Sequence, residues 1–231
     1  MLHRDVSHNN IMFEMRDGEP HFILNDFDLA VVVNADGTPL RPPSSNHRTG
    51  TLPFMSIGLI DDIIDSGSQL ILPGSTSEAR IHRLRYDFES LLWVSLWCAM
   101  TMEPGTKQHE EEMIAKIASW QTGTFDTIRS AKRNLITDLS AVARFPFTPK
   151  FKRWRVWFVQ WFSVIQKGEE LLRAHDTLVA LQRDDIEGDF PLPPALASQE
   201  SLDLETLNGT ITRDSIVAAL KEANMATRLA S

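Results

Sequence analysis

Between Tyr86 and Met102 the chain reads YDFESLLWVSLWCAMTM, which is apolar nearly all the way round a helix. Such a helix is stable only when other elements cover most of its sides. This one segment therefore predicts a core assembled around a central helix. Its greasiest part, Leu91–Met102, is too short to cross a bilayer, which takes about 20 residues, and Asp87 and Glu89 stand just before it. Material to cover the helix is available, because the chain carries 12 Phe and 6 Trp and is 42% apolar. Trp154, Trp157, Phe158, Trp161, Phe162 and Ile165 recur at helical spacing. We read that stripe as core packing rather than a cofactor box. A chain of 231 residues suits one domain.

The rest of the chain divides unevenly. Residues 1–10 are polar and read as a loop. Ile11–Glu14 and His21–Asn25 are short apolar runs joined through Asp17-Gly18, the signal for a hairpin turn. From Asn34 to Pro53 the Gly, Pro, Ser and Thr content predicts a long loop. Helices are expected over Lys107–Trp120, Phe125–Ala143 and Ser215–Leu229, the last capped by Thr212 or Asp214. Asp184–Leu207 is acidic and Pro-rich and reads as a linker. The net charge of −8 argues against a general nucleic-acid binder. Single Cys98 rules out an intramolecular disulfide framework, and the polar start MLHRDVSHNN has no signal-peptide core. The chain thus reads as soluble and intracellular, with cytoplasm and nucleus not distinguished, no membrane partner, and an oligomeric state left open. The seven His show no paired ligand spacing, and Lys150, Lys152, Arg153 and Arg155 read as a solvated basic face.

Chemistry concentrates near the start. His3-Arg4-Asp5 is followed by Asn10, and after the hairpin comes Asn25-Asp26-Phe27-Asp28. Phosphoryl transfer needs a carboxylate to orient an attacking hydroxyl and accept its proton. It also needs oxygen ligands for the Mg²⁺ that bridges nucleotide phosphates. Asp5 suits the first task, and Asn10 and Asp26 are hard oxygen donors suited to the second. A loop–hairpin–loop would bring the three to one edge. The HRD triplet alone is a weak signal. HRD with Asn10 after it, an apolar strand ending in DF, and then HRTGTLPFM from His47 to Met55 form a much more specific series.

On these motifs the chain resembles the C-terminal lobe of the eukaryotic protein kinase fold, and within it the fungal-type protein kinase family. HRDVSHNN looks like the catalytic loop, LNDFDLA like the metal-binding motif, and GTLPFMS like the end of the activation segment; YDFESLLWVSLW looks like the lobe's central helix. The resemblance implies an α+β, predominantly helical lobe over residues 1–180, with a short hairpin beside the catalytic loop and no small lobe. Residues 181–231 would be an acidic Pro-rich linker and a terminal helix. It implies that Asp5 is the catalytic base, that Asn10 and Asp26 hold metal and nucleotide, and that Arg4 contacts the activation segment. His3 and Asp87 would be structural, Asp87 by bracing the catalytic-loop backbone. Thr49, Gly50 and Thr51 would lie where a protein substrate's Ser or Thr arrives. The cofactors implied are ATP and Mg²⁺.

Four departures qualify this. Ser7 stands where many such enzymes carry a lysine, Asp28 replaces the DFG glycine, and Gly58 falls where a structural glutamate usually ends the activation segment. The fourth is larger. The chain starts just before the catalytic loop, and its first lysine is Lys107. The glycine-rich loop and the ATP-binding lysine of a small lobe are therefore not in it. The isolated chain is expected to be a fragment, weakly active or inactive. Leu91, Leu92, Trp93, Leu96 and Trp97 are expected to lose part of their cover, at about 1.5–3 kcal/mol for each exposed side chain. The alternatives are a non-catalytic remnant that acts as a binding fragment, and a relative of small-molecule phosphotransferases, against which GTLPFM argues.

Overall fold

The computed structural model of the protein describes residues 1–34, 38–40, 50–68, 82–102, 107–184 and 202–229. A 3-10 turn, His8–Asn10, leads into strands β1 (Ile11–Arg16) and β2 (Glu19–Leu24). A second turn, Leu52–Phe54, precedes helices α1 (Ile57–Ser68), α2 (Leu84–Thr101), α3 (Lys107–Gln121), α4 (Phe125–Thr137) and α5 (Leu139–Ala143). A third, Lys152–Trp154, opens α6 (Arg155–Asp184), and α7 covers Arg213–Leu229. The chain is thus α+β and mostly helical. No described helix is long and apolar enough to cross a membrane.

The hairpin is longer than its apolar runs suggest. Ile11 pairs with Leu24 and Arg16 with Glu19, so only Asp17 and Gly18 turn the chain. Both have positive φ, 52° and 81°, the conformation a two-residue hairpin with the native strand twist demands. Ile11 and Leu24 pack on the core at its base, while Phe13, Met15 and Phe22 farther out are exposed.

Helix α2 is the axis of the fold. Leu92, Trp93 and Leu96 are fully buried, so the expected loss of cover does not occur at these three; only Leu91 and Trp97 remain partly exposed. The cover comes from later in the chain. The Trp93 ring meets Trp120 of α3 and Phe162 of α6 edge-on, each at 5.4 Å between centroids. This geometry suits the positive edge and negative face of aromatic rings.

Two other expectations are corrected. Phe125–Ala143 is two helices, because Asp138 leaves helical geometry (φ −112°, ψ 85°) and its carboxylate accepts the Ser140 and Ala141 N–H groups that open α5. The described end of the expected linker, from Leu202, is packed rather than free. Leu207 and Ile211 are buried in the main core. Glu205 accepts from Leu84 N at 2.9 Å, and its carbonyl takes Arg85 N at 3.2 Å. Gly168 of α6 makes this close approach feasible: a Cβ there would lie 2.5 Å from Ile211 Cδ1.

Position 58 has a sharper constraint. A Cβ on Gly58 would lie 2.5 Å from Tyr86 Cε1 and 2.9 Å from Cζ. The ring is rigid and buried, so it cannot bend away as an aliphatic tip can. Gly58→Ala is expected to cost about 1–3 kcal/mol, read as a drop in the urea or thermal midpoint. A melt that overlays wild type would mean Tyr86 moves aside freely, contrary to this packing.

Candidate active site

The first ten residues are pinned by their apolar members. Leu2 exchanges two backbone hydrogen bonds with Val31, at 2.8 and 2.9 Å, and Leu2 and Val6 are buried. Between them the backbone of His3-Arg4 is held by one carboxylate. Asp87, in the first turn of α2, accepts the His3 N–H at 2.7 Å on Oδ2 and the Arg4 N–H at 3.0 Å on Oδ1. Arg4 sits at φ 74°, a conformation that costs a non-glycine residue on the order of 1 kcal/mol or more. The paired hydrogen bonds to Asp87 offset that cost. The Arg4 guanidinium donates to the Leu29 carbonyl at 3.3 Å.

His82 Nε2 lies 2.9 Å from Asp87 Oδ1. Burial alone would raise the Asp87 carboxyl, but the hydrogen bonds from His82, His3 and Arg4 bring it below its ordinary 3.8. A depressed acid stabilises the fold in its ionised form, so the contribution is present above that ordinary value and is lost as pH falls through the lower folded one. The stability gap between wild type and Asp87→Asn is therefore expected to be wide at pH 6 and to narrow below about pH 4. Urea melts over that range measure it, and a gap independent of pH would contradict the assignment.

His3 is buried. Its Nδ1 accepts the Asp5 N–H at 3.4 Å, and its Nε2 lies 2.8 Å from the Asn25 carbonyl. That pattern puts the proton on Nε2 and ties the loop before β1 to the one after β2. Asn25 N also donates to the Asn10 carbonyl at 2.7 Å.

Asp5 is half-buried. Its Oδ1 accepts from Thr51 twice, from the backbone N–H at 2.9 Å and from Oγ1 at 3.1 Å. The Asn10 amide nitrogen donates to the Asp5 carbonyl at 2.9 Å. The Asn10 amide oxygen is left with no hydrogen bond among the described residues. Asp26 follows Asn25, has φ 62° and is exposed; among the described residues no hydrogen bond joins it to Asp5 or Asn10. Gly50 abuts Met55, where a Cβ would lie 3.3 Å from Cε. Thr49 lies outside the described residues.

No three His, Cys, Asp or Glu side chains cluster as a metal site among the described residues. An amide oxygen at Asn10 and a carboxylate at Asp26 are nonetheless the donor types a hard divalent cation takes, completed by water and phosphate. In donor chemistry alone these two side chains suit such a cation. Two described cavities lie elsewhere, one of about 390 Å³ beside Lys167, Glu170, Leu171 and Thr210, and one of about 290 Å³ beside Arg153, Trp154, Trp157 and Asn224.

Sequence reasoning missed His82, Glu89 and Lys132. The first two gave no pattern to find. Lys132 did: on α4 it shares a face with Ile128, Leu135 and Ile136, all buried, and a lone lysine on an apolar face needs a partner.

The family model described as fungal protein kinase covers residues 1–99. That stretch runs from the HRD loop through α2 as far as Ala99. No curated protein and no solved structure matches the chain.

Proposed function

We propose, from the premise that this chain belongs to the fungal protein kinase family on the match over residues 1–99, that its site handles the hydroxyl end of phosphoryl transfer from ATP to Ser or Thr of a protein substrate. Residues 1–180 are read as the kinase large lobe and 181–231 as the segment appended to it.

One observation supports this reading most directly: Thr51 is seated on Asp5 while Asp87 holds the backbone just before it. A carboxylate so fixed, with its second oxygen taking no hydrogen bond among the described residues, can accept a substrate hydroxyl and its proton. The Thr51 segment would place the peptide against it. This also favours a peptide over a small-molecule acceptor, since the backbone of the Thr51 segment adjoins the carboxylate. Arg4, His3 and Asp87 act as positioning residues. Asn10 and Asp26 would hold the Mg²⁺ that comes with ATP. That ion supplies neutralisation of the charge developing on the phosphates.

The second reading, a binding fragment without turnover, is favoured by Ser7, which stands in the HRD loop where many such enzymes carry a lysine.

Calorimetric titration with ATP separates the two. Mg²⁺-dependent binding that Asp26→Asn weakens about tenfold or more supports the nucleotide site, since a bidentate or charged ligand contact is worth about 1.5–3 kcal/mol. Binding indifferent to both Mg²⁺ and Asp26→Asn assigns the chain to the second reading.

A further inference from the structure

The segment that brings Thr51 to Asp5 is gripped at its far end from two directions. Glu89 of α2 accepts the Ile57 N–H at 2.8 Å, and on the same oxygen the Trp93 indole N–H at 2.9 Å. Lys132 of α4 donates to the Met55 carbonyl at 2.5 Å, with its ammonium 4.8 Å over the Trp93 ring. Lys132 is 0% exposed and Glu89 5%. Burying two ionisable side chains is costly, and a buried charge is weak evidence of added stability. What distinguishes this pair is its target: both side chains end on the backbone of the same short stretch, Met55–Ile57.

The stretch transmits that grip. Phe54 N bonds the Thr51 carbonyl at 2.8 Å and Met55 N the Leu52 carbonyl at 3.3 Å. Phe54 is 1% exposed, and its ring meets His8 and Trp97 edge-on, each at 5.3 Å. Beyond the stretch, α1 is bound to α4 through Asp61, which accepts from Arg129 at 3.2 Å and Arg133 at 2.9 Å. Glu169 of α6 is also buried, and its charge acts on Glu89 through space. The charges of Arg133, Arg173 and Arg85 act favourably on Glu169 through space, against that of Asp61.

We propose that Glu89 and Lys132 are positioning residues, a buried two-sided clamp on Met55–Ile57 that fixes the Leu52–Phe54 turn and so sets Thr51 on Asp5. The clamp does from α2 and α4 what a side chain at position 58 cannot do, because the Tyr86 ring fills that space. Its effect on phosphotransfer rests on the function proposed above; its grip on the segment does not.

Hydrogen–deuterium exchange of the 231-residue chain, resolved over residues 50–58, tests the grip without needing activity. Glu89→Gln keeps an acceptor for Ile57 and is expected to leave its exchange within about twofold of wild type. Glu89→Leu is expected to speed exchange over residues 51–57 about tenfold, and Lys132→Met over residues 51–55, with Ile57 still held by Glu89 and α6 unchanged. Where a single change leaves a buried unpaired charge and the chain does not fold, Glu89→Gln with Lys132→Met removes both charges. It should fold, keep Ile57 protected, and still speed exchange at Thr51 and Met55. Wild-type exchange over 51–57 in Lys132→Met or in the double variant overturns the clamp, as does acceleration spread evenly over every helix. Peptide phosphotransfer measured alongside tests the positioning role. A kcat that falls with the loss of protection supports it. A loosened segment with unchanged kcat overturns it, while the assignment of Asp5 stands or falls on its own variant.

Discussion

Asp5→Asn is expected to lower phosphotransfer to a Ser/Thr peptide by about 10²–10⁴-fold, the range lost when a positioned base is removed, while Mg²⁺-dependent ATP binding stays at the wild-type level. The split follows from where Asp5 sits. Its carboxylate faces Thr51 through one oxygen, and its backbone carbonyl, which the substitution keeps, holds the Asn10 amide. The Asn10 side chain, proposed as a metal ligand, therefore keeps this anchor in the variant. Asparagine can still accept from Thr51 through its amide oxygen, so the local fold should survive and the loss should appear in kcat. A labelled-ATP transfer assay beside calorimetry reads both quantities. Equal transfer by wild type and Asp5→Asn would remove the base assignment. Transfer absent from both, with no Mg²⁺-dependent binding, would leave the non-catalytic reading.

Trp93→Ala is expected to cost about 3–5 kcal/mol, the usual range for emptying a buried indole site. Against a domain's total of about 5–15 kcal/mol that is enough to leave the chain partly unfolded at ambient temperature. Trp93 is the place where the fold closes on itself. Its ring meets α3 through Trp120 and α6 through Phe162, lies under Lys132, and donates its N–H to Glu89. Removing it opens a cavity in the central helix's main contact and takes a donor from a buried carboxyl. Trp93→Phe should lose much less, because the edge-on contacts can persist without the indole N–H. Urea unfolding followed by far-UV circular dichroism checks both variants. An alanine variant within about 1 kcal/mol of wild type would mean that the core closes over the gap, well outside the range for buried aromatics.

Much of this protein could be read before its structure. The hairpin was legible because Asp17-Gly18 is a turn signal set between two short apolar runs. The central helix was legible because nothing but burial suits an all-round apolar run. The HRD loop, Asn10 and the NDFD motif carried the resemblance to the family whose model matches residues 1–99. Errors fell where local pattern and packing disagree. Phe125–Ala143 keeps an amphipathic rhythm across Asp138, yet the carboxylate does better capping a new helix than continuing the old one. The stretch before α7 has a linker's composition, but Leu207 and Ile211 find a notch at Gly168, a fit that only packed surfaces reveal.

The sequence alone determined which groups could do chemistry and which helix must be central, because residue type and short spacing decide those matters. Tertiary structure decided what each group faces. Thr51 reaches Asp5 across a separation of 46 residues, Lys132 reaches Met55 across 77, and Asp87 reaches His3 across 84. No local periodicity encodes such meetings. They arise because a largely buried helix needs cover on most of its sides, and the elements that cover it carry their polar side chains into contact with one another.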